Sequence, residues 1–194
     1  MRSRASLRAD ARRNHDAVVA AAIGVLSERP DASMREIADA SGVTRTTVYR
    51  HFPTREVLVR ALFERIEHEA NEASRAALAG DPPLAEGLAA VARTAVAFGQ
   101  RYRFLAGYES IAGDVRAEMV RRADGHPVLR YLQLAARRGE ARDDLPPSWQ
   151  LRMMHALAVV AVEEVLAGTV DAAAGERLLT RTLLGAFAAP ARRT

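Results

Sequence analysis

The run Thr44-Arg45-Thr46-Thr47-Val48-Tyr49-Arg50-His51 concentrates one kind of chemistry: hydroxyls that donate and accept, two guanidinium forks, a phenol and an imidazole. None of these groups is arranged to make or break a bond. Together they suit hydrogen bonding to base edges and phosphates of a duplex. An Arg fork matches guanine O6 and N7 in the major groove, while hydroxyls and further cations hold phosphate oxygens and set register. Arg55, close by in sequence, extends the same set.

Such groups act only if an element presents them together. Thr44 is placed to cap a helix that Pro53 ends, because proline biases Phe52 away from helical dihedrals. With Val48 turned inward, a step of about 100° per residue puts Thr46 and Arg50 nearly opposite it and Thr47 and Tyr49 on the flanks. Arg45, in the first turn, reaches a base edge if the helix enters the major groove by its N-terminus. Thr47 and His51 share a flank and suit phosphate, as does Arg55 in the first turn of the following helix; free N–H groups at helix starts favour the same anions.

The supporting helix is marked as clearly. Ser33 and Glu36 form a Ser-x-x-Glu capping box, and Gly42 can take the left-handed conformation that stops a helix. Ile37, Ala38, Val43 and Val48 can close a small shared core around the Ser41-Gly42-Val43 turn, which makes a helix-turn-helix. Before it, Val18, Ala21, Ala22, Val25 and Leu26 trace one stripe of a first helix over about Arg8 to Arg29, ended by Pro30. After it, Thr54 caps a long helix to about Ala79 that connects two parts of the chain, so the boundary is expected between a DNA-binding domain, 1–54, and a second domain, 55–194. Further helices are expected near 84–106, 108–112, 114–123, 126–139, 147–167 and 171–188. Period-two alternation is missing, so the fold class is all-α.

Charge agrees with this division. Residues 1–55 carry 10 arginines against 6 acids, which accounts for the whole net charge of +4, and lysine is absent. The phosphate-seeking end is therefore the N-terminus. A basic arm with Arg2, Arg4, Arg8, Arg12 and Arg13 can add minor-groove or phosphate contacts, or be a solvated tail. The chain has no cysteine, which excludes disulfides, thiolate metal sites and cysteine nucleophiles and favours a reducing compartment. No segment is long and apolar enough for a membrane helix, so no membrane partner is expected and the location read is the cytoplasm.

The stretch from Ser33 to Leu58, with Ile37-Ala38, Gly42-Val43, Thr46-Thr47, Val48-Tyr49, Phe52 and Arg55-Glu56-Val57-Leu58, resembles the signature of the tetracycline-repressor (TetR) family. Counting the first helix, the resemblance covers about 50 residues. It implies an all-α homodimer whose three N-terminal helices bind DNA, joined by a fourth to a larger domain with a pocket whose occupation releases the operator. By similarity Arg45, Thr46 and Tyr49 approach bases, Thr47, His51 and Arg55 hold phosphates, and Arg35 reaches either. Thr46 stands where many relatives have Gly, Ala or Pro, and Arg50 replaces what is often an aromatic residue; these departures bear on the operator sequence.

Beyond residue 80 only periodicity speaks. Leu151 to Leu166 is apolar almost all round and must bury two faces, one of them most simply against a second copy. The final helix, with Leu178, Leu179, Leu183, Leu184 and Phe187, is similarly rich, so two helices from each subunit can form a four-helix dimer bundle. A dimer places two recognition helices about 34 Å apart on one face of the duplex, matching a palindromic operator. The scarce aromatics suggest a pocket for a small-molecule effector, with Phe98, Tyr102, Tyr108, Trp149 and Met153 as lining candidates and Gln133, His155 and Glu109 as lesser polar ones. These residues equally fill ordinary cores.

No catalytic site is expected. Glycine-rich phosphate loops, His-Glu-x-x-His helices, Gly-x-Ser-x-Gly elbows and EF-hand spacings are absent. The histidines at 15, 51, 68, 126 and 155 make no i, i+4 metal pair, and Asp143-Asp144 and Glu163-Glu164 read as a turn and a helix surface or dimer rim. No cofactor or metal is called for. Two other readings stay open on sequence: a helical small-molecule binding protein or enzyme with an incidental helix-turn-helix, and an architectural DNA protein indifferent to sequence.

Overall fold

A computed structural model describes residues 4–121 and 125–190 of the chain; Arg2 of the basic arm lies outside them. Among the described residues the helices are α1 (Arg4–Glu28), α2 (Met34–Ser41), α3 (Arg45–His51), α4 (Arg55–Ala77), α5 (Leu84–Arg101), α6 (Glu109–Arg121), α7 (Pro127–Arg137), α8 (Pro147–Leu166) and α9 (Ala172–Phe187). A short 3-10 turn, Arg103–Leu105, follows α5. The fold is all-α, as expected, with one isolated bridge between Ala141 and Ala188. None of these helices is long and apolar enough to cross a membrane. The chain divides into two compact units: residues up to Arg65 with Tyr102–Val115, and Ile66–Arg101 with the residues from Arg116 on.

Two expectations about elements change. The helix expected over 84–106 stops at Arg101, and the helices expected on either side of Gly113 are one, α6. A single glycine in a helix interior costs only about 1 kcal/mol against alanine, too little to break an element that packs. α1 also starts earlier than periodicity suggests, at Arg4, and Arg8, Arg12 and Arg13 lie exposed along it.

In the first unit, α1 packs on α2, α3 and the 3-10 turn. Val18, Val19, Ala22 and Leu26 of α1, Ile37 and Ala38 of α2, Val48 of α3 and Leu58, Val59 and Leu62 of α4 are all buried. The second unit is arranged around α5, which packs on α7, α8 and α9. Its core takes Leu88, Val91 and Ala92 from α5, Val128, Leu129, Tyr131 and Leu132 from α7, Leu151 and Met154 from α8, and Leu179, Leu183 and Phe187 from α9.

Polar contacts close the ends of these elements. The Glu140 carboxylate accepts from the first backbone N–H of α5, Leu84, at 2.8 Å and also from Arg138. The Asp171 carboxylate caps α9 by accepting from Ala174 N–H at 2.6 Å. The buried Tyr131 hydroxyl lies 3.0 Å from the carbonyl oxygens of both Pro82 and Pro83, which docks the turn that precedes α5.

Two glycines report on packing in opposite ways. A Cβ on Gly87 of α5 would stand 2.2 Å from the Tyr131 hydroxyl, whereas around Gly24, exposed in mid-α1, nothing lies within 4 Å. Gly87→Ala is expected to lose about 1–3 kcal/mol through displacement of a buried ring, and Gly24→Ala to gain up to about 1 kcal/mol by restricting the unfolded chain. Urea unfolding of the two variants checks this; shifts of the same sign would show the packing described is wrong.

Candidate nucleic-acid interface

α3 has only seven residues, too few to persist alone, so its neighbours must hold it. The capping box at the start of α2 is complete. Glu36 N–H donates to the Ser33 hydroxyl at 3.3 Å and Ser33 N–H donates to the Glu36 carboxylate at 2.7 Å. These bonds and the adjoining Arg29 hold the Glu36 carboxyl down to about 2. Gly42 ends α2 with φ 67°, in the left-handed region. The Ser41 hydroxyl donates to Ala38 O at 2.8 Å and accepts from Val43 N–H at 3.2 Å, which fixes the turn. Val48 is buried, as its inward register requires, with Phe52 buried just beyond.

The opposite side of α3 faces outward. Arg45, Thr46, Tyr49 and Arg50 are exposed, Tyr49 by 45%, and Thr47 is half-buried on the flank. Arg35 on α2 is exposed too. Neither Arg35 nor Arg50 makes an ion pair or hydrogen bond with another described residue. The face therefore offers two uncommitted guanidiniums, a hydroxyl and a phenol around a third guanidinium.

That third fork is already engaged. Arg45 Nε and Nη2 both donate to the Asp39 carboxylate of α2, at 3.0 and 2.9 Å, with both side chains about half exposed. A planar acceptor holds Arg45 in the geometry that a guanine edge also fits. Nothing in the local period of α3 signals this pair. The only clue is a carboxylate six residues upstream on the other helix of the motif.

Three other candidates sit differently from their expectation. Thr44 occupies the cap position of α3, but its hydroxyl makes no capping bond and donates instead to the Thr47 hydroxyl at 3.0 Å. His51 is half-buried, its ring 6.2 Å from both His15 and Phe52, with Nε2 sealed from solvent and unpartnered. Burial, then Arg50 and His15, pushes its pKa down, so the ring is neutral near pH 7 and would meet a phosphate without charge. Arg55 is turned inward. It donates through Nε to the Tyr108 hydroxyl at 2.5 Å, through Nη1 to Ala32 O at 2.5 Å and through Nη2 to Pro30 O at 2.8 Å, with its guanidinium over the Tyr108 ring. Those bonds clasp the α1–α2 turn to the start of α4 and to Tyr108, and they leave little of the fork for a phosphate.

The pocket candidates do not gather into one cluster. Tyr102 is buried against Phe104 and Tyr108 binds Arg55, both within the first unit. In the second unit Phe98 is half-buried on α5, Met153 packs on the core, and Trp149 is 57% exposed at the start of α8. Gln133 is exposed, the Glu109 side chain lies outside the described residues, and His155 is half-buried on α8. Among the described residues no group of three or more His, Cys, Asp or Glu could hold a metal ion.

An all-α chain with a capped supporting helix, a glycine turn and a short helix showing arginines, hydroxyls and a phenol outward is a helix-turn-helix DNA-binding protein. Comparison with known proteins places it further. The pattern of the bacterial regulatory proteins of the tetR family matches residues 18–62. The chain is 30% identical over 145 residues to the HTH-type transcriptional repressor LfrR of Mycolicibacterium smegmatis, covering 75% of each. It is 42% identical over 64 residues to the HTH-type transcriptional regulator CymR of Pseudomonas putida, covering 32% of each. The crystal structure of LfrR in complex with proflavine matches with a TM-score of 0.63 at 26% identity, over 89% of this chain and 94% of that one. The TetR regulator SCO0520 of Streptomyces coelicolor matches with a TM-score of 0.58 at 26% identity, over 91% and 99%. The chain belongs to the tetR family of transcriptional regulators.

The Arg45–Asp39 pair makes a prediction for duplex binding. An exposed pair contributes about 0.5–1 kcal/mol, so Asp39→Asn should tighten binding to random duplex by roughly two- to fivefold, as a competing acceptor and a negative charge are lost. Fluorescence anisotropy at low salt reads this. Weaker binding than wild type would mean that Asp39 orients Arg45 more than it competes for it.

Proposed function

We propose that this regulator is a homodimeric repressor that occupies a palindromic operator and releases it when a small apolar or amphipathic molecule binds its second unit. The observation that carries the reading is the two-sided α3, with Val48 and Phe52 buried and Arg45, Thr46, Tyr49 and Arg50 turned outward. Arg45 reads a guanine by exchanging Asp39 for O6 and N7, which makes the operator GC-containing. Thr46 and Tyr49 meet neighbouring bases. Arg35, Arg50 and Thr47 hold phosphates, Thr44 supports Thr47 through their hydroxyl contact, and His51 adds a neutral contact. Arg55 positions the start of α4 and does not itself touch the duplex. The protein works in the cytoplasm and carries no catalytic step.

Dimerisation is supported by what the last two helices leave uncovered. Only Gln150, Leu151 and Met154 of α8 are fully buried, while Trp149, Val160 and Leu166 are 57%, 56% and 38% exposed, and Leu178 of α9 is 51% exposed. Large apolar side chains concentrated on two packed helices favour burial against a second copy. Repression and response to a small molecule draw support from the relative LfrR, which is named a repressor and has been solved with proflavine.

Two measurements test these parts separately. Selection from genomic fragments should enrich an inverted repeat whose half-sites lie about 34 Å apart, and Arg45→Ala should lose preference at one G·C pair per half-site, at a cost of about 1–3 kcal/mol each. Failure to enrich any inverted repeat would sink the operator reading. In light scattering the wild type should have the mass of two chains, and Val160→Arg with Leu178→Arg that of one while keeping its helical signal. A double variant that stays dimeric puts the interface elsewhere.

A further inference from the structure

In the second unit two histidine rings lie against one another. His126 precedes α7 and makes no capping bond with its side chain; His155 stands midway along α8. Their ring centroids are 6.3 Å apart and the planes are inclined at 82°. Nδ1 of each ring is closed off from solvent and lacks a hydrogen-bond partner among the described residues. A buried ring nitrogen is ordinarily satisfied by the chain itself; here two neighbouring ones are not.

The charge state of the pair narrows what could satisfy them. Burial holds both rings neutral, with pKa values near 4, and positive charge acts in the same direction: Arg75 on His126, and the neighbouring His126 together with Arg116 on His155. A neutral imidazole carries one N–H and one bare nitrogen, and the tautomer is free to follow the partner. The two Nδ1 atoms can thus present one donor and one acceptor. α7 and α8 bury Val128, Leu129, Leu151 and Met154 close by in sequence.

We propose that His126 and His155 are the polar end of the effector site and take the hydroxyl of a phenol. Its O–H donates to Nδ1 of one ring, and its oxygen accepts Nδ1–H from the other. The positive potential of Arg75 and Arg116 favours an oxygen that bears partial negative charge, so a phenol binds better than an aliphatic alcohol and an ammonium group is excluded. This inference rests on the reading of the second unit as ligand-responsive.

Phenol itself, with the full-length protein, is the probe. Calorimetry at neutral pH should show phenol binding at least about tenfold tighter than anisole, which keeps the ring but has lost the donor, a difference of about 1.4 kcal/mol. The ring 15N resonances of both histidines should shift on phenol addition. His126→Phe and His155→Phe should each bind phenol about tenfold more weakly and bind anisole no worse, while His155→Asn, which keeps a polar group in reach, should recover part of the loss. Equal affinity for phenol and anisole, or bound phenol with unshifted ring nitrogens, overturns the proposal. Operator binding followed in parallel separates the two readings. Intact operator binding with no phenol contact to the rings defeats only the histidine site, and phenol bound at the rings of a protein that selects no operator defeats only the regulator reading.

Discussion

The first unit depends on the burial of Val48. A helix of two turns has no stability of its own, and α3 exists because that one side chain, followed by Phe52, is enclosed by the apolar stripes of α1 and α2. Once Val48 is inside, the helical period leaves no freedom over what points out. Arg45, Thr46, Tyr49 and Arg50 are displayed as a fixed array rather than as a flexible loop would display them. The capping box and the left-handed Gly42 serve the same end, since they set where α2 begins and stops and so where α3 starts. Preorganised groups lose less freedom when they meet a partner.

The second unit works under the opposite condition. α5 is enclosed by three neighbours, but α8 is rich in apolar residues on more sides than this chain covers. The two halves of the molecule thus differ in where their unfinished surface lies. In the first it is polar and cationic, on a helix made to show it; in the second it is apolar, on the helices that also build the core. Neutral histidines beside arginines add a third kind of incompleteness, ring nitrogens with no partner among the described residues.

How much of this could be read from the sequence follows the range of each interaction. The capping box, the glycine stop, the inward Val48 and the start of α4 at Arg55 involve residues at most a few positions apart, and all are found where the pattern puts them. Gly113 misled, because a lone glycine is weak punctuation when the helix around it is packed. The Thr44 hydroxyl had a second acceptor within reach that no cap rule weighs. Arg55 was the least legible, since its position suggests an outward cation and its partners are the carbonyls of Pro30 and Ala32 and the phenol of Tyr108. The aromatic candidates between 98 and 108 are close in sequence yet divide between the two units. His155 could be suspected from the sequence; its pairing with His126, 29 positions earlier on another element, could not.

The bond from Arg55 to Tyr108 spans 53 residues of chain, and Phe104, Leu105, Ala112 and Val115 join the first unit from the same distant stretch. That unit is therefore not finished when its helix-turn-helix leaves the ribosome. Synthesis must run past Val115 before the last part of its core is available, by which time α5 of the other unit has already been made. A fragment cut after α4 would carry every residue of the recognition helix and still lack part of what the unit is built on.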